Sequence, residues 1–348
     1  MYLYNQWYLA AWDDAVGEDP VQIWLLDIPV MFYRTAAGQL VAMEDRCPHR
    51  LVPLSKGCRV GDSIQCIYHG AIFAPTGECE SLPGASAQAR QNGVRTFATE
   101  ERWGAIWIWM GEAETANRDL LPGAGNLQTE GRRTVRGVLP CKANYQLCVD
   151  NLLDLSHEAY LHPETIGTLE VAEFPAKISA TDNIVSIVRL MKDVEAPQLF
   201  IAARGIKTNI DRSQTVTGYL PSFVTVDVEA TPVGQPDSDE ALEWQVLFFM
   251  TPERAGSTHY FFAVSRSFLI DSQEIDQAIV AGSLKTLHED IDMLEAQQAM
   301  LATIPLESRT LHTRYDAAPD RARAIMTQML DKERKACGND KSRHSRIA

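Results

Sequence analysis

From Trp24 to Met110 the chain alternates short apolar runs with turn residues. The runs PVMFYR and QLVAMED flank TAAG, which is a hairpin pattern, and GAIWIWMG is a further strand rich in aromatic and branched side chains. This half reads as small and mostly β. Residues 111–133, GEAETANRDLLPGAGNLQTEGRR, are polar, rich in glycine and without periodicity, as a linker or exposed crossover would be. The expected boundary falls there, giving domains over 1–115 and 116–348. Beyond it LCVDNLLDLSHEAYLH reads as one helix ended by Pro163. IVSIVRLM, TVTGYLPSFVTVDVEA and WQVLFFM read as strands, and the last turns through PERAGST into HYFFAVSRSFLI, as in an antiparallel sheet. A long amphipathic helix follows from Glu274 to Leu301, with no proline and one weak point at Gly282. Many strands and one long helix predict an α+β fold, a sheet wrapped on a helix. The basic tail DKERKACGNDKSRHSRIA reads as a frayed, solvated end.

Composition narrows the function classes. At 348 residues the chain has room for two cores, and 45% hydrophobic with 22% charged residues is ordinary for a globular protein. A formal net charge of -14 argues against phosphate-backbone or anionic-membrane partners, so neither nucleic acid nor membrane is expected. The first residues carry no basic segment followed by a long apolar core, and no apolar run is long enough to span a bilayer, which predicts a cytoplasmic location. Seven cysteines, an odd count in a reducing setting, favour metal ligation over a disulfide framework.

The cysteine spacing gives that ligation a form. Cys47 and His49 stand one residue apart in DRCPHR, and Cys66 and His69 stand two apart in CIYHG. Zinc sites usually pair cysteine with cysteine and histidine with histidine. A mixed pair on each of two loops suits a [2Fe-2S] cluster with both cysteines on one iron and both histidines on the other, the Rieske arrangement. Neutral imidazoles in place of two thiolates make the cluster less negative and raise its reduction potential. Pro48 and Gly70 suit the tight turns, and Gly77, Pro83 and Gly84 suggest a third, covering loop. The remaining five cysteines have no matching histidines.

A second constellation lies in DNLLDLSHEAYLHP. Asn151, Asp154 and His157 fall three apart and can share one side of a helix. His162 lies about 140° from His157 at the helical period, so both reach one ion only if the helix is irregular or ends there. Two histidines and a carboxylate on an open face form the triad of non-heme Fe(II) oxygenases. In LHEDIDMLEAQQ the apolar stripe through Ile279, Leu287, Ile291 and Leu294 sends Glu289 and Asp292 to the far, solvated face and leaves Asp290 and Glu295 at its two edges. Spacing alone does not choose between these two as the third ligand.

The segments CPHR, CIYHG, DNLLDLSHEAYLH and HEDIDMLEAQQ, in this order and at these separations, resemble the oxygenase component of Rieske non-heme iron oxygenases, most closely the vanillate O-demethylase subgroup that includes dicamba monooxygenase. The likeness runs from NQWYLAAW to EAQQAMLATIP. One departure is Ala71, where many members carry Trp or Leu. The resemblance implies an N-terminal all-β Rieske domain, a helix-grip (START-like) catalytic domain and a head-to-tail homotrimer. It makes Cys47, His49, Cys66 and His69 the cluster ligands and His157, His162 and Asp290 the ligands of a mononuclear Fe(II). Asp154 becomes a bridge between His157 and His69 of the neighbouring subunit, with Asn151 beside the iron. Electrons would come from NAD(P)H through a separate flavin and ferredoxin-type reductase, since the chain has no GxGxxG fingerprint.

The implied reaction is O2-dependent oxidation of a small aromatic substrate. The first expectation is O-demethylation of a carboxylated methoxyarene, with formaldehyde released. Ring hydroxylation, aryl-methyl hydroxylation and N-demethylation are alternatives on the same scaffold, and a Rieske electron carrier without oxygenase activity is the alternative from another class. Asn209, Tyr219, His259 and Phe261 are the expected pocket residues.

Overall fold

Strict alternation in burial marks the strands. In β14, Ile210–Tyr219, every even-numbered residue from Ile210 to Gly218 is buried and its neighbours only partly so, as expected of a strand with one face on a core. The computed structural model describes residues 1–84, 86, 91–198, 200–201, 205–206, 208–236, 238, 241–304, 308 and 311–337. The chain divides into two compact units, residues 1–123 with 251–255, and residues 124–250 with 256–348.

Among the described residues, the first unit holds three antiparallel sheets. β1 (Trp7–Trp12), β10 (Ala105–Trp109) and β9 (Thr99–Arg102) form one. β2 (Val21–Leu25), β3 (Ile28–Arg34) and β4 (Leu40–Glu44) form the second, and the β3–β4 hairpin about TAAG is as the sequence predicts. The third runs β5 (Cys58–Val60), β6 (Ser63–Gln65), β7 (Ile72–Phe73) and β8 (Cys79–Ser81). Its short strands leave two loops, before β5 and between β6 and β7, and these carry the two Cys-His pairs. Met31, Tyr33, Met43, Leu54, Ile64 and Phe73 build the core behind them, and Cys47, Cys66 and Ala71 belong to the same cluster.

The second unit is built on a seven-stranded antiparallel sheet in the order β11 (Arg133–Cys141), β17 (Ser257–Arg266), β16 (Leu242–Arg254), β15 (Phe223–Pro232), β14, β13 (Ile184–Val194) and β12 (Ala176–Ala180). The long helix, Gln273–Leu301, buries Ile279, Thr286, Leu287, Asp290, Ile291 and Leu294, a stripe at helical spacing. Ser272 caps it by accepting from the Ile275 N–H. The helix stripe and the inward face of the sheet enclose one cavity, so the α+β helix-grip expectation describes this unit.

Two expectations need correction. The single helix over 147–162 is three pieces: a helix at Tyr145–Leu152, a 3-10 turn at Leu155–His157 and a helical turn at Glu158–Leu161. Asp154 breaks it, because its carboxylate accepts from the Ser156 N–H and so competes with the helical ladder. The tail does not begin at Asp331: a last helix, Ala317–Cys337, runs through DKERKAC, and residues 338–348 lie outside the described residues. Among the described residues, no helix is long and apolar enough to cross a membrane.

Candidate active site

In the first unit the two ligand loops turn their cysteines inward and their histidines outward. Cys47 and Cys66 are buried in the core cluster, whereas His49 and His69 are exposed with ring centroids 4.5 Å apart. Local chain chemistry fixes this. The Gly70 N–H donates to the Cys66 carbonyl and closes a tight turn around Cys66-Ile-Tyr-His, and Gly70 takes φ +74, a conformation glycine adopts without strain. In the other loop the Cys47 N–H donates to Val52 O and the Leu51 N–H to Cys47 O. Pro83 lies within 3.6 Å of where a Gly70 Cβ would stand, and Leu82 packs on the core cluster that holds Cys47 and Cys66, so the third loop covers the second. Burial pushes the Cys47 thiol above its ordinary pKa, and the neighbouring Cys66 adds to this. Two inward thiols beside two outward imidazoles are the donor types that a Rieske [2Fe-2S] cluster takes.

In the second unit His157, His162 and Asp290 offer ligand atoms that all lie within 4.8 Å of one another. Asp290 Oδ1 stands 3.2 Å from His157 Nε2 and 3.2 Å from His162 Nε2. Two ligand atoms each about 2.1 Å from a common ion stand about 3 Å apart or a little more, so these separations fit three ligands on one face of a single metal ion. The helix break allows this: the 3-10 turn presents His157, and His162 terminates the following turn, so the angle of a continuous helix no longer applies. Gly167 brings the chain back against this turn; a Cβ there would come within 1.9 Å of Glu158 O and 2.9 Å of His162 O.

The carboxylate and the two imidazoles interact strongly. Burial opposes ionisation of Asp290, but hydrogen bonds to His157 and His162 outweigh it and bring its pKa down to about 2. Burial likewise opposes a charged His157, yet Asp290 lifts it to about 8, and His162 is also raised by Asp290 against its burial. Each imidazole is oriented through its other nitrogen. His157 Nδ1 pairs with the Asp154 main-chain carbonyl, and His162 Nδ1 lies 2.7 Å from Glu289 Oε2. Asn151 Nδ2 donates to Asp290 Oδ1 at 3.1 Å.

A sequence profile of the Vanillate O-demethylase oxygenase C-terminal domain matches residues 141–332, more than half of the chain, and the Rieske [2Fe-2S] domain matches residues 6–98. The chain belongs to the vanillate O-demethylase family of Rieske oxygenases. It is the oxygenase component of a Rieske monooxygenase system, with a [2Fe-2S] cluster and a non-heme iron as its cofactors. It is 32% identical over 345 residues to the vanillate O-demethylase oxygenase subunit of Pseudomonas sp. (strain HR199 / DSM 7063), covering 97% of each chain. It is 30% identical over 342 residues to the toluene-4-sulfonate monooxygenase system iron-sulfur subunit of Comamonas testosteroni, covering 96% of this chain and 98% of that one. The crystal structure of dicamba monooxygenase with non-heme iron and dicamba superposes with a TM-score of 0.80 at 28% identity, over 96% of this chain and 99% of that one.

Several side chains of this Rieske oxygenase stand elsewhere than sequence spacing suggests. Glu289 is not on the solvated face, because the His162 ring draws it in; the missed signal is its place beside Asp290, which lets one helical turn supply a ligand and an orienting group. Glu295 accepts from the Lys142 N–H instead of joining the triad. The Asp154 carboxylate bonds to Ser156, and only its main-chain oxygen meets His157. A cavity of about 100 Å³ adjoins the triad, walled by Trp244, Phe248, Phe262, Phe200, Ile279 and Leu287. Asn209, Tyr219, His259 and Phe261 are not among its walls. Phe262 and Val264 take the inward face of β17, so Phe261 and His259 turn the other way. Asn209 Nδ2 donates to Asp193, and Tyr219 stacks on Phe223.

Proposed function

We propose that the protein O-demethylates a methoxybenzoate-type arene and releases formaldehyde. Electrons come from NAD(P)H through a separate flavin and ferredoxin-type reductase, and the working form is a head-to-tail homotrimer. The observation that carries this reading is the aromatic-walled cavity bounded at its metal-ligand edge by His157, His162 and Asp290. Trp244, Phe248 and Phe262 offer ring faces and edges to a planar arene and exclude water from around it.

Cys47 and Cys66 would hold one iron of the cluster and His49 and His69 the other, while His157, His162 and Asp290 would hold the mononuclear iron. When bound, these groups supply one-electron delivery and O2 activation. The chain's own residues do the rest. Glu289 and the Asp154 carbonyl fix the ring orientation of His162 and His157, and Asn151 holds the Asp290 carboxylate. Asp154 Oδ1 is committed to Ser156, so Oδ2 is the oxygen with which Asp154 would accept from His69 of a neighbouring subunit and shorten the electron's path. Overall, an aryl methyl ether, O2, two electrons and two protons give a hemiacetal and water, and the hemiacetal collapses to phenol and formaldehyde.

Purified protein should contain about two acid-labile sulfides and about three irons per chain. With a surrogate reductase and NADH, a panel of methoxybenzoates should yield formaldehyde and phenol in a one-to-one ratio with O2 consumed above the substrate-free rate. Hydroxylated product with the methoxy group intact would overturn the demethylase reading. Oxygen uptake no faster than slow autoxidation would reduce the protein to an electron carrier.

A further inference from the structure

The cavity beside the triad contains a cation that the metal-binding chemistry does not use. Arg212, on the inward face of β14, forms part of the cavity wall with its side chain only 2% exposed. Its nearest counter-charge is Glu158, with Nη2 to Oε2 at 3.6 Å, too long for a hydrogen bond. Nε and Nη1 are buried without a hydrogen-bond partner, and the guanidinium carbon lies 5.1 Å from the Phe200 ring centroid.

Neighbouring side chains do not make up the deficit. Gln214 Nε2 donates to Glu158 Oε1 at 3.0 Å and reaches Oε2 at 3.3 Å, and Gln214 Oε1 accepts from Arg189 Nη1 at 3.1 Å. Two buried guanidinium groups thus share one buried carboxylate whose oxygens already serve an amide. Burial lowers the Arg212 pKa in spite of Glu158. A buried donor left unpaired is costly, and a guanidinium is the side chain best suited to planar anionic oxygens. The rest of the wall is dominated by aromatic and aliphatic side chains, so an arene bearing one anionic substituent fits both features at once.

We propose that Arg212 is the specificity-determining residue of the substrate cavity: it donates to a carboxylate or sulfonate on the arene and selects anionic over neutral substrates. This rests on the cavity being the substrate site. Carboxylate and sulfonate offer the same anionic oxygens, and the geometry assigns the group to Arg212 without separating the two.

The test is equilibrium binding to the cluster- and iron-loaded protein, by calorimetry without O2 or reductase, using 3-methoxybenzoate, 3-methoxybenzenesulfonate and the neutral 3-methoxybenzamide. The wild type should bind at least one anion about 10-fold or more tighter than the amide, and the better anion identifies the preferred group. Arg212→Gln should weaken that anion by about 30-fold or more while changing the amide by less than about 3-fold, and Arg212→Lys should restore part of the loss. An amide that binds as tightly as both anions, or an Arg212→Gln protein that keeps the anion preference, overturns the proposal. So does a wild type that binds none of the three. If Arg212→Gln does not load its metals, the wild-type ratio and Arg212→Lys decide. Because binding is read rather than turnover, anion selectivity through Arg212 without formaldehyde release would refute demethylation alone. Formaldehyde release with charge-indifferent binding would refute the role of Arg212 alone.

Discussion

Glu289 Oε2 lies 2.7 Å from His162 Nδ1, on the opposite side of the imidazole from the nitrogen that faces Asp290. The long helix therefore grips His162 from both sides with adjacent residues, one positioned to ligate and the other to set the tautomer. A carboxylate accepting from the distal N–H holds the ring still and makes the facing nitrogen a better ligand. Glu289→Ala should lower iron affinity by about 10- to 100-fold, measured by competition with a chelator, while the visible spectrum of the cluster stays unchanged. Glu289→Gln, which keeps an acceptor without the charge, should fall between the two. Equal affinity in all three would show that Glu289 does not position the ring.

Gly167 places main chain against the turn that separates the two histidines. A methyl group there would stand 1.9 Å from Glu158 O and 2.9 Å from His162 O, both main-chain atoms that cannot rotate away. The Gly167 N–H also donates to the His162 carbonyl, so the turn cannot shift without losing that bond. Gly167→Ala should destabilise the protein by about 2 kcal/mol or more and reduce bound iron, read together as a lower Tm and a lower iron-to-sulfide ratio. A variant with full iron content and unchanged Tm would show that the turn is compliant.

Asp154 separates a local role from a bridging one. Its Oδ1 accepts from the Ser156 N–H at 3.0 Å and from the Ser156 hydroxyl at 2.5 Å, bonds that an asparagine Oδ1 can also accept. Asp154→Asn should therefore leave the fold and both metal sites loaded. If the carboxylate accepts from His69 of a neighbouring subunit while the Asp154 main-chain carbonyl holds His157, single-turnover reoxidation of the reduced cluster should still slow by about 10- to 100-fold or more. Stopped-flow absorbance with substrate and O2 checks this, and wild-type reoxidation rates in the variant would remove the bridge.

What the sequence revealed follows the range of each signal. The alternating runs and the uninterrupted apolar stripe from Ile279 to Leu294 are local patterns, so the hairpin about TAAG and the long helix stand where they were expected. The donor types and spacing of Cys47, His49, Cys66 and His69 are also local, and the structure turns them into inward thiols and outward imidazoles. The break at Asp154 was not legible. DNLLDLSHEAYLH is apolar at helical spacing, and only the competition of Asp154 with the main chain at Ser156 stops the helix. Glu289 was misassigned because a helical wheel knows the helix's own stripe and nothing of the ring brought in from 127 residues away. Arg212 and Gln214 lie just before TVTGYLPSFVTVDVEA, outside any run whose pattern marks a strand. Only the pairing of β14 with β13 and β15 shows that Arg212 and Gln214 belong to a strand and face inward.

The site also depends on how the long helix is held to the sheet, and one ion-pair cluster does much of this. Asp276, in the first turn of the helix, accepts from Arg133 Nε at 2.9 Å and pairs with the fully buried Arg266 at 2.7 Å. Burial works against its charge, but the two guanidinium groups outweigh it and hold its carboxyl below the usual range. Removing the charge strands Arg266 in the interior, so Asp276→Asn should cost about 3 kcal/mol at pH 7, measured by denaturant unfolding. The folded-state pKa lies below the unfolded value of about 3.9, so the stabilisation is present in full above about pH 5 and disappears as pH falls through the depressed value. The stability gap between wild type and variant should accordingly be constant from pH 8 to about pH 5 and close at lower pH. A gap that instead narrows between pH 7 and 5 would mean that a group other than Asp276 carries the effect.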